Sequence, residues 1–432
     1  MADSLAYDAD ARTPVDSSEA VSGLQLGTVL IGISITLPLM YSAGELAQGI
    51  GFKKAALAAL IGALVLSLMS VPAAIVGAKT RLSSYMIIEH TFGYAGAKFI
   101  NFGFGLFLLG WYAVTAELFG RTLFLAANDL LNLSGPEWVY TVVSSLVVTV
   151  TTIYGFKAID RLALVAVPFL LLALLAVVAL SLRERGFDEL VSIPASGALD
   201  MPTAVSAVIG AAIVGVVLTP DLTRYARNTS DCVTASFVGQ GGGMSIAYLV
   251  GMIPVLVWGE LEPMSYMLLM GFGAIALAVL VFATWTTNVI NLYSTALAAR
   301  ASVPFGDYRL MVIVLGLAGT GAALVGISEN LIDFLIVMGL LVPPIAGVYL
   351  TNFFILGRKD FSEGKLAQRP ALRTTALVAV VASGATASLL SAQNASLTSV
   401  GAVDSLLLSA FVYLLLEKLS AKTAATAASR TE

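Results

Sequence analysis

Apolar residues run through this chain in long blocks, separated by short clusters of charge, glycine and proline. A stretch of about 20 apolar residues is long enough to cross a bilayer core of about 30 Å as a helix. Twelve blocks reach or approach that length, at approximately 23–49, 52–77, 99–127, 138–155, 160–182, 202–219, 233–258, 266–297, 309–327, 331–356, 372–391 and 398–416. Hydrocarbon offers no water to unpaired backbone groups, so each block is predicted to be a helix. The expected fold class is an all-α membrane protein of twelve transmembrane helices, with too little chain left over for a soluble catalytic domain.

Breakers fall unevenly among the blocks. The first carries Gly32 and Pro38, and the sixth carries Gly210, Gly215 and Pro220. A helix broken at membrane depth frees carbonyl and amide groups, which a desolvated ion and a polar solute both need. The alternative is that these glycines only let helices pack closely. Spacing hints at two halves: the starts at Gly23 and Pro202, the prolines 72 and 254, and the tryptophans 111 and 285 are offset by similar amounts. This suggests a five-plus-five inverted repeat with two further helices. The expected organisation is a tail at 1–22, a first repeat at 23–200, a second at 201–357, helices eleven and twelve within 358–417, and a tail at 418–432.

Composition agrees: 58% of residues are hydrophobic, 12% are charged, and the mean hydropathy is +0.92. The start of the chain is acidic (Asp3, Asp8, Asp10, Asp16, Glu19) and lacks the basic beginning of a signal peptide. With the N-terminus inside, eighteen of the 23 Lys and Arg residues fall on cytoplasmic segments and five on the other side. Translocated loops are poor in these residues, so a multi-pass cell-membrane protein with both termini cytoplasmic is expected. Cys232 is the only cysteine, which excludes an internal disulfide, and the only histidine, His90 beside Glu89, reads as an interfacial anchor.

Polar residues inside the blocks are few, and the densest group is Trp285-Thr286-Thr287-Asn288. Such groups persist in a spanning helix chiefly when they face protein, a cavity or a bound ion. Ala283, Thr286 and Thr287 share a helix face at i, i+3 and i+4. They offer one carbonyl and two hydroxyls to a hard cation, or the threonines simply bond back to carbonyls one turn earlier. Trp111, in the third block, presents a flat face to a planar ring. Asn288 and Asn291 carry amides that donate and accept, as the edge of a base does. Glu117 is an ionisable group at depth, but Arg121 lies at i+4, where an ion pair would hold it charged.

Several segments together resemble the nucleobase-cation symporter-1 family, and within it the cytosine permease branch, over nearly the whole chain from about Leu24 to Leu416. They are 30–34 (LIGIS), 76–80 (VGAKT), 109–112 (LGWY), 218–228 (LTPDLTRYARN), 285–288 (WTTN) and 342–347 (VPPIAG). The resemblance implies a leucine-transporter-like architecture, alternating access and cation-driven uptake of a nucleobase or related heterocycle. It implies that Trp111 stacks on the substrate, and that Gly210, Ala211 and Ala212, expected at a break in helix six, line the same pocket as Asn288 and Asn291. It also aligns the carbonyls of Gly32 and Ile35 with Ala283, Thr286 and Thr287 as a sodium site, sodium being the coupling ion and no other cofactor being expected.

The chain departs from the cytosine branch at Leu108, Ala211, Ala212 and Val289, where that branch carries polar or bulkier groups. A buried polar group of cytosine left unpaired would cost about 1–3 kcal/mol. A hydroxymethylpyrimidine or a purine is therefore the expected kind of cargo, with a proton-coupled carrier of allantoin or a hydantoin as the alternative. A channel would need a continuous polar lining and an enzyme a catalytic constellation. Neither is visible, and neither a catalytic residue nor a nucleic-acid partner is expected; the partners are the heterocycle, the cation and the lipid bilayer.

Overall fold

A computed structural model describes residues 14–154, 172–302, 307–357, 369–393 and 395–428. Regular structure among them is helical, with no strand; a single isolated bridge joins Val21 to Ala226. The main helices are α1 (Gly23–Ser34), α2 (Leu37–Ile50), α3 (Phe52–Thr80), α4 (Ser84–Phe92), α5 (Tyr94–Leu131), α6 (Glu137–Tyr154) and α7 (Met201–Val217). They continue as α8 (Thr229–Trp258), α9 (Pro263–Leu269), α10 (Gly273–Ser302), α11 (Tyr308–Leu324), α12 (Ile327–Ile355), α13 (Thr374–Ala392) and α14 (Gly401–Ala428).

Six of these (α3, α5, α8, α10, α12 and α13) are long and apolar enough to cross a membrane singly, α1 and α2 together form a seventh, broken span, and α6, α7 and α11 are shorter apolar helices. The fifth predicted block, 160–182, is helical from residue 172 and otherwise lies outside the described residues. The eighth block is not one helix: Gly271, with φ of +81°, turns the chain between α9 and α10, so the span starts at Gly273. Surface pattern fits a lipid environment. On α3, Leu57, Leu60, Leu64 and Leu68 form an exposed stripe at helical spacing, while Ala55, Ala58, Ala59 and Ala63 are buried against neighbours. Water would penalise such a stripe; acyl chains do not.

The first span breaks as expected, and the reason is local. Pro38 has no N–H and its ring crowds the carbonyl four residues earlier, which weakens the helix across Ser34–Pro38; unlike at Pro72 and Pro254, which lie inside α3 and α8, the chain here leaves the helix. Ile35 (φ −97°, ψ 90°) and Thr36 (φ −135°, ψ 155°) are extended, Pro38 falls in the first turn of α2, and the two axes differ by 70°. The C-terminal turn of α1 thus leaves its last carbonyls, Gly32 among them, without helical donors. Gly32 itself is helical; its carbonyl is freed by the break that follows it.

The sixth block does not break at Gly210. α7 is continuous through Gly210 and Gly215 and ends at Val217, after which Pro220 opens a four-residue turn, Pro220–Thr223. Gly210 is a packing glycine: an added Cβ would overlap the Leu335 carbonyl of α12, and Gly339 of the same helix lies against it. The interruption comes at Leu218–Thr219, two turns later than predicted, because the proline and not the glycine ends the helix.

Polar contacts hold the ends of the bundle. Arg121 on α5 bridges Glu137 of α6 and Glu262 just before α9, both at 3.0 Å. Glu117 is not its partner, contrary to the i, i+4 expectation: its carboxylate accepts from the Ser328 N–H (2.8 Å) and hydroxyl (2.6 Å), fixing the start of α12. At the other end, the Asp231 carboxylate accepts from Gly23 N–H at 2.7 Å, Asp221 accepts from Ser84 N–H at 2.7 Å, and Arg81 donates to the Arg224 carbonyl. Burial pushes the Asp221 carboxyl above the usual range, and the Ser84 amide and Arg224 oppose that shift. His90 is fully buried in α4, its carbonyl accepting from Arg369, and so is no interfacial anchor.

Packing at the two glycines predicts opposite sensitivities. Gly210→Val should lower stability by roughly 1–3 kcal/mol, seen as a lower melting temperature of the purified protein. Gly32→Ala, where no atom lies within 4 Å of the new Cβ, should melt within a degree or two of the wild type.

Candidate functional site

A cavity of about 910 Å³ lies between α1, α5, α7, α8 and α10. Its wall includes the break in the first span, Gly32 through Thr36, with Leu108, Trp111 and Thr115 of α5 and Ala211, Ala212 and Gly215 of α7. Ala283, Thr286, Thr287 and Asn291 of α10 complete the polar side. No Asp, Glu, His, Lys or Arg lines it among the described residues.

Nine of the eleven predicted site residues therefore meet on one surface: Gly32, Ile35, Trp111, Ala211, Ala212, Ala283, Thr286, Thr287 and Asn291. Gly210 does not, because it faces α12. Asn288 does not either. It is 0% exposed, and with its amide turned to satisfy both ends, Nδ2 donates to the Tyr112 carbonyl (3.1 Å) and Oδ1 accepts from Ala116 N–H (3.3 Å). Asn288 is thus a clip between α10 and α5. Position explains the difference: Asn291 and Thr287 share the Ala283 face at four-residue steps, whereas Asn288 is turned about 100° from Thr287.

Trp111 is held edge-on by Phe334, with centroids 5.7 Å apart and planes at 79°. Asn291 Nδ2 lies 3.5 Å from Thr115 Oγ1, which in turn donates to the Trp111 carbonyl at 2.7 Å. This chain fixes the asparagine beside the indole and leaves Oδ1 as an acceptor. The Trp111 indole N–H has no partner among the described residues. An aromatic face with a donor and an acceptor near its edge suits a flat, polar-edged solute.

Both threonines do bond back along α10. Thr286 donates to Phe282 (2.9 Å) and Ala283 (3.0 Å), and Thr287 donates to Ala283 (2.9 Å). That does not remove them as ligands: a hydroxyl that donates its proton to a carbonyl keeps its lone pairs for a cation. A second cavity of about 10 Å³, the size of one water, is lined by Ile35, Thr36, Thr115, Ala283, Thr284 and Thr287. Thr36 was not singled out by sequence, and its hydroxyl makes no cap to α2. Its signal was available, as the only hydroxyl residue between the end of α1 and Pro38 apart from Ser34.

The chain matches the family model for permeases of cytosine/purines, uracil, thiamine and allantoin over residues 15–412. It belongs to the nucleobase-cation symporter-1 family. Among curated relatives, the cytosine permease of Escherichia coli O157:H7 is 27% identical over 370 residues, covering 85% of this chain and 86% of that one. The vitamin B6 transporter TPN1 of Saccharomyces cerevisiae is 23% identical over 347 residues, 72% of this chain and 57% of that one. Among solved structures, the inward-facing conformation of Mhp1 superposes with a TM-score of 0.83 at 18% identity over 95% and 94% of the two chains. Mhp1, a transporter of the same family, in a closed conformation with bromovinylhydantoin bound, gives 0.77 at 18% identity over 96% of each. A Na+-coupled sialic acid symporter shares the fold more distantly, at 0.63 and 13% identity over 92% and 90%. The protein is a multi-pass membrane permease and not an enzyme.

Two asparagines one turn apart should behave differently. Asn291→Ala is expected to leave melting unchanged while weakening ligand binding, and Asn288→Ala to cost about 1–3 kcal/mol of stability by stranding buried polar groups. Thermal unfolding with and without bound ligand separates the two.

Proposed function

We propose that this permease is a sodium-coupled symporter of a planar heterocycle, working by alternating access. The observation that supports it best is the Ile35–Thr36 break directly beside the Ala283–Thr287 face, with Trp111 on the same cavity. Free carbonyls at the negative end of α1 and the lone pairs of Thr286 and Thr287 offer a hard cation up to five oxygens: Gly32, Ile35, Ala283, Thr286 and Thr287. Thr36 is a further candidate. The ring stacks on Trp111, with Asn291 at its edge. Ion and solute share one chamber, so the bound ion completes the wall against which the ring packs, and each raises the other's affinity by the same factor.

The wall is apolar at Leu108, Ala211 and Ala212, and this favours a purine or a hydroxymethylpyrimidine over cytosine. Proton coupling is the second reading, supported by Glu45 of α2, whose Oε2 is buried without a partner. Glu45 does not line the cavity and Glu117 is engaged by Ser328, so sodium is preferred. The same reading takes the chain as twelve spans in a leucine-transporter-like five-plus-five arrangement plus two, both termini cytoplasmic, with the cavity opening toward that side along Leu218–Leu222.

A thermal-shift screen of nucleobases and vitamin precursors, with and without sodium, tests this. Stabilisation follows RT ln(1+[L]/Kd), so a ligand at 100 Kd adds about 2.7 kcal/mol. The expected result is a ring whose shift needs sodium, with Thr287→Ala losing the sodium-dependent part and Trp111→Ala losing the response to every ring. A sodium response unchanged in Thr287→Ala removes the cation assignment. Sodium-driven uptake of labelled cytosine into proteoliposomes contradicts the substrate assignment.

A further inference from the structure

One polar side chain on the cavity wall belongs to none of these roles. Gln240 of α8 is 4% exposed and lines the cavity, yet its amide makes no hydrogen bond with a described residue. Neither amide atom is sealed from the cavity. An amide that finds no partner in the protein takes one from whatever fills the cavity.

The local backbone shows how the side chain is aimed. Residues Ala235–Gly242 form a wide, π-helical turn inside α8, a distortion often found at functional sites. Its neighbours 239, 241, 242 and 243 are all glycine. A Cβ on Gly239 would meet Leu30 at 2.6 Å, one on Gly243 would meet Ser34 Oγ at 2.8 Å, and one on Gly241 would meet Ser67 Oγ at 2.5 Å. The turn is thus pressed between α1 and α3 with bare backbone on both sides. Gln240 alone projects a long polar side chain from it, toward α7, where Nε2 comes 3.5 Å from the Cβ position of Gly215. Gly215 is exposed to the cavity and leaves space in front of the amide. It lies one turn past Ala211, about 6 Å along the axis, on the Thr219 side.

We propose that Gln240, with the gap at Gly215, is a second hydrogen-bonding station of the permeation route, recognising the lactam edge of a planar heterocycle. A primary amide presents one acceptor and one donor side by side, the complement of a ring –CO–NH– unit. The apolar wall at Ala211 and Ala212 admits the ring, and the amide selects its edge. The inference rests on the heterocycle reading above and adds the class of ring.

Equilibrium dialysis of the purified protein against two matched pairs, hypoxanthine with purine and uracil with pyrimidine, tests it. The wild type should favour the lactam member of a pair. Gln240→Met, close in shape but without the amide, should reduce that preference about three- to tenfold, the range of one net hydrogen bond, while leaving affinity for the lactam-free ring within twofold. Gly215→Val, which blocks the amide without altering it, should do the same and decides the matter should Gln240→Met fold poorly. An unchanged preference in the variants, no preference in the wild type, or equal loss for both members overturns the inference while leaving the heterocycle reading standing. Failure of any ring to bind the wild type removes that reading itself.

Discussion

Every backbone N–H and C=O inside hydrocarbon must find a partner, and this constraint decides where the chain can open. A helix meets it by itself; a break does not, and survives only where protein or a polar chamber surrounds it. Ile35 and Thr36 are such a place. They are forced out of the helix by Pro38, bent by 70°, and enclosed by α10 and the cavity. The break leaves the Gly32 and Ile35 carbonyls without helical donors, at the cavity wall. The bend of the first span and the polar strip on the cavity wall thus share one origin.

The opposite wall is built for continuity. α7 passes unbroken beneath the cavity because Gly210 lets it lie directly on the Leu335 turn of α12. Small residues that permit contact of this kind are the usual means of holding helices together where lipid competes for apolar surface. α1 lies against α8 in the same manner through Gly27, Gly239 and Gly243, and Asp231 anchors its first turn at Gly23. α1 is therefore docked on α8 from Gly23 to Ser34, with Gly32 and Ile33 turned to the cavity. α1 and the π-helical turn that carries Gln240 thus share one contact surface, which ends at the break.

Much of this was legible in residues alone, and the misses have a common cause. Proline often announces its effect, since it lacks an N–H and carries a fixed ring: Pro38 opens α2 after the first break and Pro220 opens the turn after α7, although α3 and α8 run on through Pro72 and Pro254. Glycine does not, because close packing and unwinding require the same absence of a side chain, and only the position of Leu335 distinguishes them for Gly210. Amide chemistry and the family resemblance put Asn288 beside Asn291 at the pocket, whereas the helix turns it toward Tyr112 and Ala116. Thr287 and Asn291 follow Ala283 at four-residue steps, and Asn288 falls off that line. Glu117 was assigned to Arg121 because sequence sees only the local partner; Ser328 and Glu262 are more than 130 residues distant from the groups they bind.

Gln240 shows the limit most clearly. In sequence it is one glutamine in a glycine-rich run, and such runs in membranes are most simply explained as packing surfaces. The glycines are indeed that, toward α1 and α3. Their second consequence appears only in three dimensions: when both flanks are occupied by neighbouring helices, the side chain between them has one direction left. The turn that brings α1 and α3 so close is thereby what fixes the amide on the cavity wall. A glutamine at the same position in a regular helix with larger neighbours would be free to fold back onto a carbonyl, and the cavity would lose a donor and an acceptor together.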